Sequence, residues 1–186
     1  MLKTAMRYSH DLLTDVLSKG SIAIDATAGN GHDTLFLSQK VKEEGHIFAF
    51  DIQKQAIENT QHRLSEANAH NVTLFCQGHE TIGDVLPNDL VINGAIFNLG
   101  YLPSSDKKII THANTTITAI KWICDHLEHH GRCVLVLYYG HEGGNEEKEE
   151  VLAFCKTLDQ DKYQVMTYQF INQRNAPPIC LCIEKK

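Results

Sequence analysis

The chain has 186 residues, 42% hydrophobic and 22% charged, with a net charge of −6. That is enough for one domain with a sizeable core and too little for two ordinary ones. The acidic balance argues against bulk electrostatic gripping of long nucleic acid, though it leaves room for a local basic patch on one structured RNA, and no apolar run approaches the roughly 18 residues of a membrane span.

The N-terminal residues carry no long apolar stretch behind their charges, so a secretory leader is not expected and the cytoplasm is the expected compartment. Six cysteines occur without a C-x-x-C pair. Cys180 and Cys182 stand two apart in a strand-like run and should share a face. Core thiols are expected rather than disulfides, and no metal is expected.

In chain order, Ser9 to Lys19 reads as a helix capped by Ser9, striped by Leu12, Leu13, Val16 and Leu17, and stopped by Gly20. Ile22 to Asp25 reads as a strand, Asp33 to Val41 as a helix, and Ile47 to Asp51 as a second strand. Lys54 to Ala69 reads as a helix, and Val72 to Cys76 as a third strand leading into Gly78-His79-Glu80. Leu90 to Phe97 is almost wholly apolar, as a strand covered on both faces should be. Asn114 to His129 reads as a helix and Cys133 to Tyr139 as a fifth strand. The helix Glu146 to Leu158 has acids at its first turn, where the helix dipole favours them. Tyr163 to Ile171 and Ile179 to Glu184 are joined by a link too short for a parallel crossover, so they should pair antiparallel. The alternation predicts an α/β fold, a doubly wound, mostly parallel seven-stranded sheet ending in an antiparallel hairpin, with helices on both faces. Residues 1–186 should form a single domain.

The most telling stretch is Asp25-Ala-Thr-Ala-Gly-Asn-Gly31, where a strand ends in an acid and turns through two glycines into a helix. Asp51 stands 20 residues past Gly31, at the end of the second strand. Glycines let the backbone approach a ligand, and an acid at that interval suits a ribose. A dinucleotide fingerprint would need a third glycine where Thr34 stands, and Asp25 would repel a pyrophosphate. Asp25 suits a ligand with an ammonium group.

Asp-x-x-x-Gly-x-Gly resembles the first motif of class I S-adenosylmethionine methyltransferases, and the resemblance implies their Rossmann-like fold, which agrees with the predicted alternation of elements. The resemblance implies that the backbone from Thr27 through Ala28, Gly29, Asn30 and Gly31 holds the methionine carboxylate, and that Asp25 attracts the ammonium. Asn30 and Asp33 would add side-chain hydrogen bonds. Asp51 would take the ribose, Ile52 would pack on adenine and Gln53 would reach a hydroxyl. Gly78, His79 and Glu80 stand where such enzymes contact the adenine. Asn98-Leu-Gly-Tyr101 keeps the first and last members of the Asn-Pro-Pro-Tyr motif of enzymes that methylate exocyclic nitrogens. Asn98, bordering the cofactor, would accept from an amine, and Tyr101 would stack on a base.

Together with Gln77-Gly-His-Glu80 and Phe97-Asn-Leu-Gly-Tyr-Leu-Pro103, the chain resembles the MnmM (YtqB-like) methyltransferases, from about Arg7 to the C-terminus. Membership would imply methylation of the amino group of 5-aminomethyl-2-thiouridine at the tRNA wobble position, with the anticodon stem-loop as partner. Substrate contacts would come from Arg7, Tyr8 and His10 within an N-terminal segment, residues 1–20, on the substrate side. Others would come from Lys107, from Tyr139 and His141, and from Arg174, Asn175 and Pro177. A monomer or homodimer would serve. Other readings are methylation of rRNA or of a small-molecule or protein amine, and a non-catalytic cofactor-binding partner. A tight turn with no ligand and a nicotinamide dehydrogenase fit the motifs less well.

Overall fold

The computed structural model describes residues 1–100, 112–140 and 143–186. Seven strands form one sheet in the order β3-β2-β1-β4-β5-β7-β6. They are β1 (Ile22–Asp25), β2 (His46–Phe50), β3 (Val72–Phe75), β4 (Ile92–Leu99), β5 (Leu127–Leu137), β6 (Tyr163–Tyr168) and β7 (Ile179–Lys185). β1 to β5 run parallel, and β7 lies antiparallel between β5 and β6. The strand order reverses between β1 and β4, the switch point where open α/β sheets bind ligands.

The helices are α1 (Ala5–Thr14), α2 (His32–Val41), α3 (Lys54–Glu66), α4 (Ile82–Val85), α5 (Ala113–His126) and α6 (Gly144–Cys155). Period-2 alternation splits the strands between two cores. Cys133, Leu135 and Leu137 of β5 join Ile120 and Ile123 of α5 and Val151 of α6. Val134 and Val136 turn the other way, to Leu12 and Leu13 of α1 and Leu37 and Val41 of α2. Cys180 and Cys182 share that second core, and Cys76 is the one exposed thiol.

Several element ends differ from expectation. α1 starts before Ser9: Thr4 caps it by accepting from the Arg7 amide, while Ser9 is buried inside the helix and its hydroxyl donates to the Met6 carbonyl. An internal serine can bond back to the preceding turn, so its presence does not fix a helix start. α5 ends at His126 and β5 begins at once. Pairing of β5 with β4 starts at Leu127, breaks register, and resumes at Arg132. At Gly131, in that bulge, a Cβ would lie 2.9 Å from the Glu128 carbonyl oxygen, so only glycine fits without a shift. α3 stops at Glu66 and β6 at Tyr168, each three residues short of expectation. The 3-10 turn His79–Thr81 and the short α4 were not expected at all.

Candidate active site

Asp25 ends β1 with its side chain wholly buried. One carboxylate oxygen accepts from the Thr34 hydroxyl at 2.6 Å, the other from the Thr27 amide at 3.1 Å. Burial and then the nearby Asp33 charge push its carboxyl up to about 7, against the pull of those two hydrogen bonds. Asp25 therefore fastens the β1–α2 turn and carries a fractional charge at neutral pH.

The turn is closed by internal bonds. The Ala28 amide donates to the Phe50 carbonyl, Gly29 to Asp51 Oδ2 at 2.9 Å, and Gly31 to the Ala28 carbonyl. The expected anion-holding amides at these positions are thus taken up within the protein. A helix leaves its first N–H groups without intrahelical partners, which moves the available donors to His32, Asp33 and Thr34 at the start of α2. Gly31 precedes them with φ of 76°, and a Cβ there would lie 2.9 Å from Thr60 Cα. Asn30 turns its side chain to Asn59 Nδ2 at 2.9 Å, and its carbonyl accepts from Arg63. A shallow cleft of about 330 Å³ on that side is a separate feature, containing Asn30 but none of Asp25, Asp51 or Asn98.

Asp51, just past β2, accepts from the Gly29 amide through one oxygen and from the Gln53 amide through the other. Burial raises its carboxyl above the usual range, while those amides and His79 pull it down. Each oxygen keeps a second lone pair for a ligand hydroxyl. Ile52 beside it is 57% exposed, an apolar surface suited to a flat ring.

His79 is buried rather than free in a loop. Its Nδ1 donates to the Ala26 carbonyl at 3.1 Å, its Nε2 faces the Thr116 hydroxyl at 3.5 Å, and its ring edge meets Phe97. Burial lowers its pKa, so the ring is neutral at pH 7 and wedges the β1 turn against α5. Gly78 is buried and Glu80 exposed; a Cβ at Gly78 would strike the Glu80 carboxylate at 2.2 Å.

Asn98 stands near the carboxyl end of β4. Its amide N–H donates to Thr27 Oγ1 at 2.7 Å, and its side-chain Nδ2 donates to Asp33 Oδ2. Its Oδ1 is buried with no hydrogen-bond partner among the described residues. Asp33 also takes His10 Nε2 at 2.6 Å, so both oxygens of this expected cofactor residue face protein groups.

The expected substrate residues that are described gather at the same sheet edge. His10 stacks on Phe36, and Tyr8 packs on Tyr168 with centroids 4.4 Å apart. Arg7, Arg174 and Asn175 are exposed, and Pro177 is half-buried. Asn175 and Ala176 both adopt positive φ, and a Cβ on Gly140 would lie 3.7 Å from Ala176. Tyr139 is covered by Lys148, whose ammonium sits 4.2 Å from the ring centroid. Its neighbour Tyr138, which the sequence reading passed over, is 40% exposed; burial and then the Asp33 charge raise its hydroxyl pKa. Strand alternation turns adjacent residues opposite ways, and that was the available signal. Tyr101, Lys107 and His141 lie outside the described residues. Among the described residues no group of three metal-ligating side chains occurs, and no helix is long and apolar enough to cross a membrane.

The site combines a glycine turn, a carboxylate at the end of β2 and an unsatisfied amide oxygen at the switch point. The chain as a whole resembles known proteins. The chain is 36% identical over 99% of its length to the chloroplastic tRNA (mnm(5)s(2)U34)-methyltransferase of Arabidopsis thaliana, covering 70% of that protein. A crystal structure described as a "putative rRNA-methylase" from Clostridium thermocellum superposes with a TM-score of 0.97 at 43% identity, covering both chains completely. A crystal structure described as "a putative methyltransferase" from Streptococcus mutans, in complex with S-adenosylhomocysteine, superposes at 0.92 with 48% identity, again over both whole chains. The family model described as "Putative rRNA methylase" matches residues 47–184, and the chain belongs to this family of S-adenosylmethionine-dependent methyltransferases.

Proposed function

We propose that the protein methylates the amino group of 5-aminomethyl-2-thiouridine at the tRNA wobble position, giving 5-methylaminomethyl-2-thiouridine. The observation that carries this is Asn98 Oδ1 at the carboxyl end of β4, buried with no hydrogen-bond partner among the described residues. A buried acceptor without a partner is costly and calls for a donor from outside. An amine is such a donor. The Arabidopsis relative, a tRNA (mnm(5)s(2)U34)-methyltransferase, supports a tRNA wobble uridine as its carrier.

S-adenosylmethionine, when bound, supplies a methyl group on a good leaving group. The chain's own residues bind and orient. Asp51 and Gln53 take ribose hydroxyls, Ile52 covers the adenine, and Asp25 offers negative charge to the ammonium end. Asn98 Oδ1 accepts one amine hydrogen and so aims the nitrogen lone pair, with Tyr101 stacking on the base. Tyr138, its face open, adds a second aromatic surface for an unstacked base. Arg7 and Arg174 contact phosphates of the anticodon stem-loop, with α1 on the substrate side of a single domain. The reading carries a cytoplasmic location, where such a tRNA is met.

The test is nucleoside mass spectrometry after incubating the protein and S-adenosylmethionine with tRNA bearing 5-aminomethyl-2-thiouridine. A gain of one methyl group on that nucleoside is expected. Asn98→Ala should abolish the gain while cofactor binding, measured by calorimetry, survives. Equal activity on the free amine without RNA would instead favour a small-molecule acceptor, which the net charge of −6 would suit.

A further inference from the structure

Asn98 has two side-chain ends of nearly equal shape and opposite function. Turned one way it offers the amine an acceptor; turned the other it offers a competing donor. Something must choose. An ionised carboxylate only accepts hydrogen bonds, so whatever faces Asp33 must be the NH₂ end. Asp33 Oδ2 takes Asn98 Nδ2, which leaves Oδ1 buried and unpartnered among the described residues.

The backbone beneath is fixed as well, since the Asn98 amide N–H donates to Thr27 Oγ1 at 2.7 Å. Rotation about the side chain is therefore the freedom left to restrain. Asp33 is itself held. It is 7% exposed, and its Oδ1 meets His10 Nε2 at 2.6 Å. The His10 ring stacks on Phe36 at 3.9 Å and 5°. A contact to a carboxylate puts the proton on Nε2 and fixes that tautomer. Three elements that meet only in the folded chain, α1, α2 and the end of β4, form one line from His10 through Asp33 to Asn98.

We propose that Asp33 is the positioning residue for the methyl acceptor, setting which end of the Asn98 amide faces the amine, and that His10 holds Asp33 in place. This rests on the role given to Asn98 under the proposed function. It replaces the cofactor contact that the sequence suggests for Asp33 with a contact to the catalytic amide.

Asp33→Asn is nearly isosteric but can present either an acceptor or a donor, so the Asn98 amide loses its preferred direction. Misplacement of a reacting group by about 1 Å costs on the order of 100-fold. In Asp33→Asn, kcat should therefore fall about 100-fold, while the S-adenosylmethionine dissociation constant and the KM for tRNA stay within about threefold. His10→Phe should lower kcat in the same pattern, and His10→Gln, which keeps a donor, should restore most of it. The orientation is also read without substrate, from the Asn98 side-chain amide protons in ¹⁵N-labelled protein, assigned by their loss in Asn98→Ala. They should exchange slowly in the wild type and rapidly in Asp33→Ala. Wild-type kcat in Asp33→Asn would overturn the proposal. So would a dissociation constant that weakens in step with kcat, which marks a cofactor ligand, or unchanged amide exchange. If the wild type itself left the tRNA nucleoside unmethylated, the substrate reading would fall and the amide exchange would decide the positioning role alone.

Discussion

A carboxyl group held at about 7 inside a protein makes stability depend on pH. Asp25 starts from an ordinary value of 3.8 and is raised by burial and by Asp33. Between about pH 4 and pH 7 the folded protein holds a proton that the unfolded chain has released. Stability therefore falls as pH rises through that window and levels off above it. Asp51, also raised by burial, adds in the same direction. The melting temperature of the ligand-free protein should be lower at pH 8 than at pH 5.5, and Asp25→Asn should flatten the slope; a scanning fluorimetry series checks both. Asp25 and Asp51 were legible as chemistry because they stand at recognisable intervals from the glycine turn, four residues before Gly29 and 20 past Gly31. The role of Asp33 was not, because its partners His10 and Asn98 lie 23 and 65 residues away. Tyr138 escaped for another reason: alternation says that it and Tyr139 turn opposite ways, but after a strand buried on two faces it does not say which of the two rings is the more exposed.

Strands β1, β2 and β4 and the second half of β5 were easy to read, since burial makes them apolar runs between glycines and polar turns, whereas the exposed Glu128 and His129 at the start of β5 read as helix. Element ends were harder. Thr4 outcompetes Ser9 as the cap of α1 because Leu13 and Leu12 must reach the core from a helix that starts earlier, which no local pattern announces. The four-residue α4 is too short to show a period. Gly31 was legible as a turn, but its close approach to Thr60 of α3 was not. Gly31→Ala combines an unfavourable φ of 76° with that contact. Gly-to-Ala changes where φ is positive destabilise by more than about 1 kcal/mol, so a urea midpoint well below wild type is expected, with cofactor affinity reduced as the turn shifts.

Across the molecule, the two ends of the chain are fastened to each other. Arg132 on β5 donates to the Leu12 carbonyl at 2.9 Å, to Asp15 at 3.2 Å, and to Glu184 on β7 at 2.6 Å. The Tyr168 hydroxyl of β6 donates to the Lys3 carbonyl at 2.8 Å. Hydrogen bonds to charged groups contribute about 1.5–3 kcal/mol each when well sheltered. Arg132 is only partly buried, so Arg132→Met should cost about 2 kcal/mol, towards the low end of that range. Hydrogen exchange should locate the loss in the amides of α1, ahead of those of β1 and β2; uniform loosening of the whole sheet would contradict the clip.

α1 packs against β5 and β7, and β7 follows it from the far side of the described sequence. During synthesis the helix that carries His10 is therefore made long before part of its own seat. The glycine turn, β2 and the edge near Asn98 can form earlier, so a chain stopped ahead of β7 should hold the line from His10 to Asn98 less firmly than one that has passed it.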